Sequence, residues 1–177
     1  GPVSATLGTA IPYVMTTANT GGLALGDPAL GRPLVIRDSI PADLAYVSGS
    51  ATYHEAGDLP AGVGVTVLYS ADHGVTWSTT EPSPASRVTD LEWWLDAPLD
   101  VGQSVIVRFQ ATVPMGYADV TITNCATVGF DGTPLSEDCT TTLIEGDNSI
   151  SGTVFEDDGA GSNFANGVKD AGDAGEV

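Results

Sequence analysis

Ser104-Val105-Ile106-Val107-Arg108-Phe109-Gln110-Ala111-Thr112-Val113 is the stretch that decides the fold. Val105, Val107, Phe109, Ala111 and Val113 fall on one side of a period-two repeat. Ile106, Arg108, Gln110 and Thr112 fall on the other. Successive side chains of an extended chain point to opposite faces, so this pattern is a half-buried antiparallel strand. Val65, Val67 and Tyr69 repeat it, as do Val120, Ile122, Ala126 and Val128. No stretch keeps a 3.6-residue apolar period, which removes amphipathic helices from consideration.

Turn signals separate the alternating runs: Asn19-Thr20-Gly21-Gly22, Pro41-Ala42-Asp43, Asp72-His73-Gly74, Asp100-Val101-Gly102 and Asp131-Gly132. The punctuation predicts strands near 11–18, 34–39, 44–53, 63–70, 75–79, 91–96, 104–113, 119–129 and 133–144. Strands at this spacing with no helix between them make a sandwich or a barrel. Long, Pro-rich connections such as Glu81 to Thr89 favour the sandwich. The expected core includes Val105, Val107, Phe109, Val65, Val67, Val120 and Ile122.

The 177 residues allow one sandwich of ordinary size and a short further segment. The apolar fraction of 42% places most of the chain in folded structure. The net charge of −18, from 23 acids and 5 bases, repels phosphate backbones and anionic lipid. Nucleic acid and membrane surfaces are therefore excluded as partners. Solubility, calcium binding and life in salty water remain, and an acid-rich, lysine-poor surface suits high salt. Residues 145–177 hold eight of the acids and one base, Lys169. That shift divides the chain into a module at 3–144, a linker at 145–149 and an acidic segment at 150–177. No apolar run reaches the ~20 residues needed to cross a bilayer. No signal peptide is present, and Gly1-Pro2 reads as the scar of a protease cleavage.

Cys125 and Cys139 lie on either side of the Asp131-Gly132 turn. A hairpin closing there brings them nearly opposite, given a bulge or a three-residue loop. The spacing predicts a cross-strand disulfide, and with it an oxidising, extracellular setting. Two free thiols in a cytosolic protein are the alternative.

Catalytic constellations are missing from the pattern. His54 and His73 are far apart and read as loop or strand-end residues. No Cys or His stands at a zinc-site spacing, and no Ser or Cys is paired with a base. The expectation is a protein that is not an enzyme. Trp77, Trp93 and Trp94 could form a sugar-binding platform, but adjacent Trp93 and Trp94 face opposite sides of a strand, so one of them belongs to the core.

Several motifs stand in one order along residues 8–144. They are Tyr13-Val14-Met15-Thr16-Thr17-Ala18-Asn19-Thr20-Gly21-Gly22, Asp38-Ser39-Ile40-Pro41-Ala42-Asp43-Leu44-Ala45-Tyr46-Val47-Ser48-Gly49-Ser50 and Tyr69-Ser70-Ala71-Asp72-His73-Gly74-Val75-Thr76-Trp77. Leu95-Asp96-Ala97-Pro98-Leu99-Asp100-Val101-Gly102 and Asn124-Cys125-Ala126-Thr127-Val128 follow. In these the chain resembles the Ig-like repeat known as domain of unknown function eleven, found in tandem in bacterial surface and secreted proteins. The resemblance implies an all-β, Ig-like antiparallel sandwich serving as a non-catalytic spacer. Members carry one more strand before the position of Gly8, where only Val3 to Leu7 stand here, so the first edge strand is expected to be short or absent. Some bacterial surface Ig-like modules crosslink Lys to Asn or Asp. With Lys169 the sole lysine, the first module cannot contain such a bond.

The acidic segment resembles the opening of the B-type repeats of serine–aspartate surface proteins, which bind calcium. Ile150-Ser151-Gly152-Thr153-Val154-Phe155-Glu156-Asp157 and Asn166-Gly167-Val168-Lys169-Asp170-Ala171-Gly172-Asp173-Ala174-Gly175 carry the likeness. It implies a calcium loop with oxygen donors at alternate positions. Asp157 stands first and is followed by an insertion that begins at Asp158. Asn166 takes the fifth position, Gly167 the turn, Val168 a carbonyl, Asp170 the ninth position and Asp173 the last. An ordinary solvated linker is the alternative. The partners this implies are neighbouring modules of the same polypeptide. An adhesin gripping a glycan or protein, or a filament subunit completed by a neighbour's strand, are the competing readings.

Overall fold

The Ser104–Val113 alternation forms the middle strand of the smaller of two sheets in the computed structural model, which describes residues 3–53, 57–114, 120–130 and 133–145. All of these belong to the first of two units into which the chain divides, Gly1–Asp147. The strands are β1 (Val3–Thr6), β2 (Ala10–Ala18), β3 (Val35–Ser39), β4 (Ala45–Tyr46), β5 (Val65–Ser70), β6 (Asp90–Leu95), β7 (Ser104–Thr112), β8 (Val120–Phe130) and β9 (Thr133–Glu145). The larger sheet has the order β1-β9-β8-β3-β6-β5 and the smaller the order β2-β7-β4. Facing each other, they make the expected Ig-like sandwich.

The core follows the parity read from the sequence. Val105, Val107, Phe109 and Ala111 of β7 are fully buried. They meet Leu91, Trp93 and Leu95 of β6 and Leu34 and Ile36 at β3. Tyr13 stacks on Phe109 with ring centroids 4.9 Å apart, and Trp93 lies 6.3 Å from the same ring. Val65 and Ile122 are buried as expected, but Val67 and Val120 are only half-buried. Val67 stands on the edge strand β5, and Val120 is the first residue of β8, while Ile122 and Ile144 beside it are buried. The turn half of the β8–β9 hairpin overhangs the smaller sheet, with residues 133–140 exposed.

Three expectations change in detail. The first edge strand is present, but β1 is short and pairs in parallel with the last residues of β9. The run at 44–53 pairs with β7 only at Ala45 and Tyr46, then returns at Thr52 opposite Arg108. Between them Gly49 takes a φ of 70°, and the Glu81 carboxylate holds the excursion by accepting from the Ser48 hydroxyl and the Gly49 amide. The run at 75–79 is no strand. Asp72 takes its partners instead, accepting from the Thr76 amide at 2.9 Å and its hydroxyl at 2.6 Å, which leaves one bridge between Tyr69 and Ser78.

Cys125 and Cys139 are direct cross-strand partners and are bonded. Of the two geometries that allow this, the chain uses the bulge. Val128 pairs Ser136 and Gly129 pairs Pro134, leaving Leu135 as the extra residue. A side chain at Gly129 would collide with the Thr133 carbonyl oxygen, so glycine is required there. Cys139 is exposed, on a part of the hairpin outside the core. Reduction and alkylation should therefore lower stability by at most about 3 kcal/mol, read from urea melts, and leave the near-ultraviolet circular dichroism of the tryptophans unchanged. Loss of that signal would show that the bond holds the core itself.

Candidate functional site

The calcium ligands expected at Asp157, Asp158, Asn166, Val168, Asp170 and Asp173 lie outside the described residues, as does His54. His73 is exposed in its turn at a φ of 59°. The three tryptophans do not form one platform. Trp93 is core, Trp77 lies under the Arg37 guanidinium at 5.1 Å, and Trp94 alone stands at the edge of a cleft, 39% exposed. Parity explains the split, because Trp94 shares the outer face of its sheet with Val35 and Arg37, its neighbours on β3.

That outer cleft encloses about 440 Å³. Trp94, Glu92, Arg37, Thr127, Glu137 and the Cys125 side of the disulfide line it. Trp94 donates its indole N–H to Glu92 at 2.7 Å. Burial pushes the Glu92 carboxyl above its ordinary range, against the pull of Trp94 and Arg37. The Asp90 carboxylate accepts from Arg37 at 2.9 Å and from the Ser39 hydroxyl at 2.7 Å. The cysteines and Glu137 also stand close enough to suggest a metal group, but both sulfurs are spent on the disulfide.

A second site lies between the sheets, where the smaller one ends. The groove encloses about 530 Å³. Strand β2 forms one wall, Ile36 and Asp38 of β3 the floor, and the inner faces of β8 and β9 the other wall. Asp38 is 1% exposed and Asn124 is 4% exposed. The Asn124 amide donates to Asp38 Oδ2 at 2.8 Å, while Asp38 Oδ1 and Asn124 Oδ1 have no partner. Burial is the main cause that raises the Asp38 carboxyl to about 7; the Asn124 hydrogen bond opposes it and the charge of Asp90 adds to it. The inward-facing acids of the lining are Asp38 and Asp138, and among the described residues no Lys or Arg lines the groove.

No family model matches the chain, and no curated protein matches it either. Among solved structures, it is similar to the major pilin subunit BcpA of Bacillus cereus. The TM-score is 0.46 at 11% identity, covering 81% of this chain and 37% of that one. The chain thus spans well under half the length of that pilin. It is also similar to ACE19, the collagen-binding subdomain of the Enterococcus faecalis surface protein ACE, with a TM-score of 0.33 at 9% identity, over 80% of this chain and 93% of that one. A third likeness is to AvmM, which catalyses macrocyclization in alchivemycin A biosynthesis, with a TM-score of 0.38 at 12% identity, over 85% of this chain and 87% of that one.

Asp38 and Asn124 were not singled out as site residues from the sequence. A signal was there for the first: Leu34, Ile36, Asp38 and Ile40 share one parity, so an inward strand face carries a carboxylate. For Asn124 the run Val120, Ile122, Asn124, Ala126, Val128 holds the same clue.

Proposed function

We propose that the chain is a non-catalytic spacer module of a secreted or cell-surface bacterial protein, joined to its neighbour through a calcium-stiffened segment. The observation that carries the reading is the disulfide between Cys125 and Cys139 on an exposed hairpin. A bond so open to solvent persists only where thiols are not kept reduced. The charge of −18 fits the same setting, since it favours solubility and divalent cations and opposes nucleic acid and anionic lipid. An adhesin-type role has one observation in its favour, the half-exposed Trp94 at a cleft of side-chain size.

Calcium is tested by titration calorimetry. In the loop that the resemblance implies, the carboxylates of Asp157, Asp170 and Asp173 would repel one another, and a cation held by them with Asn166 and the Val168 carbonyl would relieve that repulsion. Ordering the loop costs roughly 1–2 kcal/mol per backbone residue fixed. The expected dissociation constant is on the order of 10⁻⁴–10⁻³ M. Asp170→Ala combined with Asp173→Ala should abolish the heat. Equal heats from both proteins would remove calcium from the reading.

A further inference from the structure

We infer that the groove beside β2 is an acceptor site for an extended, basic peptide strand of another protein, which adds to the free edge of β2 and directs a lysine or arginine toward Asp38 and Asn124. This goes beyond the spacer reading and stands without calcium.

The first ground is the mismatch between the sheets. Among the described residues β2 pairs on one side only, with β7. Its other edge faces the overhanging β8–β9 hairpin, as the shared groove shows. Ala126 and Val128 on the inner face there are half-buried, while Ser136, Asp138 and Thr140 are exposed. A fourth strand on β2 would lie over that face, about 10 Å above it, at the ordinary separation of stacked sheets. Edge strands recruit extended peptides in this way because their unpaired amides and carbonyls supply the main-chain hydrogen bonds. Pro12 lies toward the start of β2, and residues 13–18 carry no proline, so that stretch can pair.

The second ground is the pair of buried acceptors. Asp38 Oδ1 and Asn124 Oδ1 are sealed from solvent, unpartnered, and border this groove. A buried oxygen without a donor is costly. With Asp38 ionised both are acceptors. The Tyr13 hydroxyl, also buried and unpartnered on this groove, has one proton to give and can complete only one of them, so the other takes a donor from outside. The walls near them, Met15, Ile36 and Val128, are apolar and suit the methylene stem of a long side chain. A lysine or arginine supplies the stem and the donor together, and its charge suits the acidic lining.

The third ground selects the source. Another copy of this chain carries the same −18 charge and few cations. Two of these, Arg37 and Arg108, are already paired with Asp90 and Asp58. The complementary strand therefore belongs to a different, basic polypeptide.

The test uses the full chain and two fluorescein-labelled peptides followed by anisotropy. One is Thr-Thr-Val-Thr-Lys-Thr-Val-Thr-Thr; the other has methionine in place of the lysine. The lysine peptide should bind at least about tenfold more tightly, the size expected when a buried carboxylate gains a charged donor. Asp38→Asn should erase that difference. Asp138→Lys, at an exposed position on the rim, should weaken the lysine peptide and leave the methionine peptide unchanged. Hydrogen exchange should slow at the amides of residues 13–18 when the lysine peptide is bound. Equal affinities for the two peptides, no binding up to about 1 mM, or binding without protection of β2 would each overturn the proposal. So would self-association of the chain that the lysine peptide cannot displace, which would make a second copy the occupant.

Discussion

Replacing Asp38 with asparagine should stabilise the module at pH 8 by about 3 kcal/mol. The carboxyl is 1% exposed and burial lifts it to about 7. The unfolded chain releases the proton near the ordinary carboxylate value, so between about pH 4 and 7 the folded state binds more protons than the unfolded state. Stability from this group is therefore greatest in acid and falls as pH rises through that window, by about 1.4 kcal/mol per pH unit at the steepest. Above about 7 the loss is complete and constant. Glu92, also raised by burial, acts in the same direction. Asp72 acts in the opposite direction, because the Thr76 hydroxyl and amide hold it down at about 2. Asparagine keeps an oxygen to accept from Asn124 and has no charge to desolvate. Urea melts of both proteins at pH 5 and pH 8 decide the matter. The wild type should lose roughly 2–3 kcal/mol between those values, and Asp38→Asn should lose much less. Parallel pH profiles would mean that Asp38 stays ionised when folded, with a donor in the groove.

The second large effect separates two adjacent residues. Trp93→Ala should cost about 3–5 kcal/mol, while Trp94→Ala should cost less than about 1 kcal/mol. Trp93 is fully buried, 6.3 Å from the Phe109 ring, which is itself stacked on Tyr13. Removing it opens a cavity between the sheets at their centre. Its indole N–H has no partner, so nothing polar is lost with it, and Trp93→Phe should recover most of the stability. Trp94 is 39% exposed and its alanine variant gives up one hydrogen bond to Glu92. Denaturant melts of the three variants, compared through their midpoints at equal slope, give the ranking. Similar losses for Trp93→Ala and Trp94→Ala would show that the outer cleft contributes as much to folding as the core does.

The amino-acid sequence by itself determined the features that depend on neighbours along the chain. Alternation in β7 and β5 is a local property, because side-chain parity follows from extended backbone alone. The β8–β9 hairpin, and with it the Cys125–Cys139 bond, is nearly local too, since one turn sets the register. Parity also required that one of Trp93 and Trp94 be core. Which one it is depends on which face of β6 meets β7, and that is a contact between sheets. Tertiary structure alone decided the parallel pairing of β1 with β9, the break in the 44–53 run at the Glu81 carboxylate, and the overhang of a six-stranded sheet beyond a three-stranded one. The groove exists because of that overhang. Asp38 and Asn124 are far apart in sequence, on strands that pair only in the folded sheet, and each reads alone as one polar residue on an inward strand face with no sign of the other. They become a site because folding withdraws water from both at once and leaves two oxygens without a partner beside one groove.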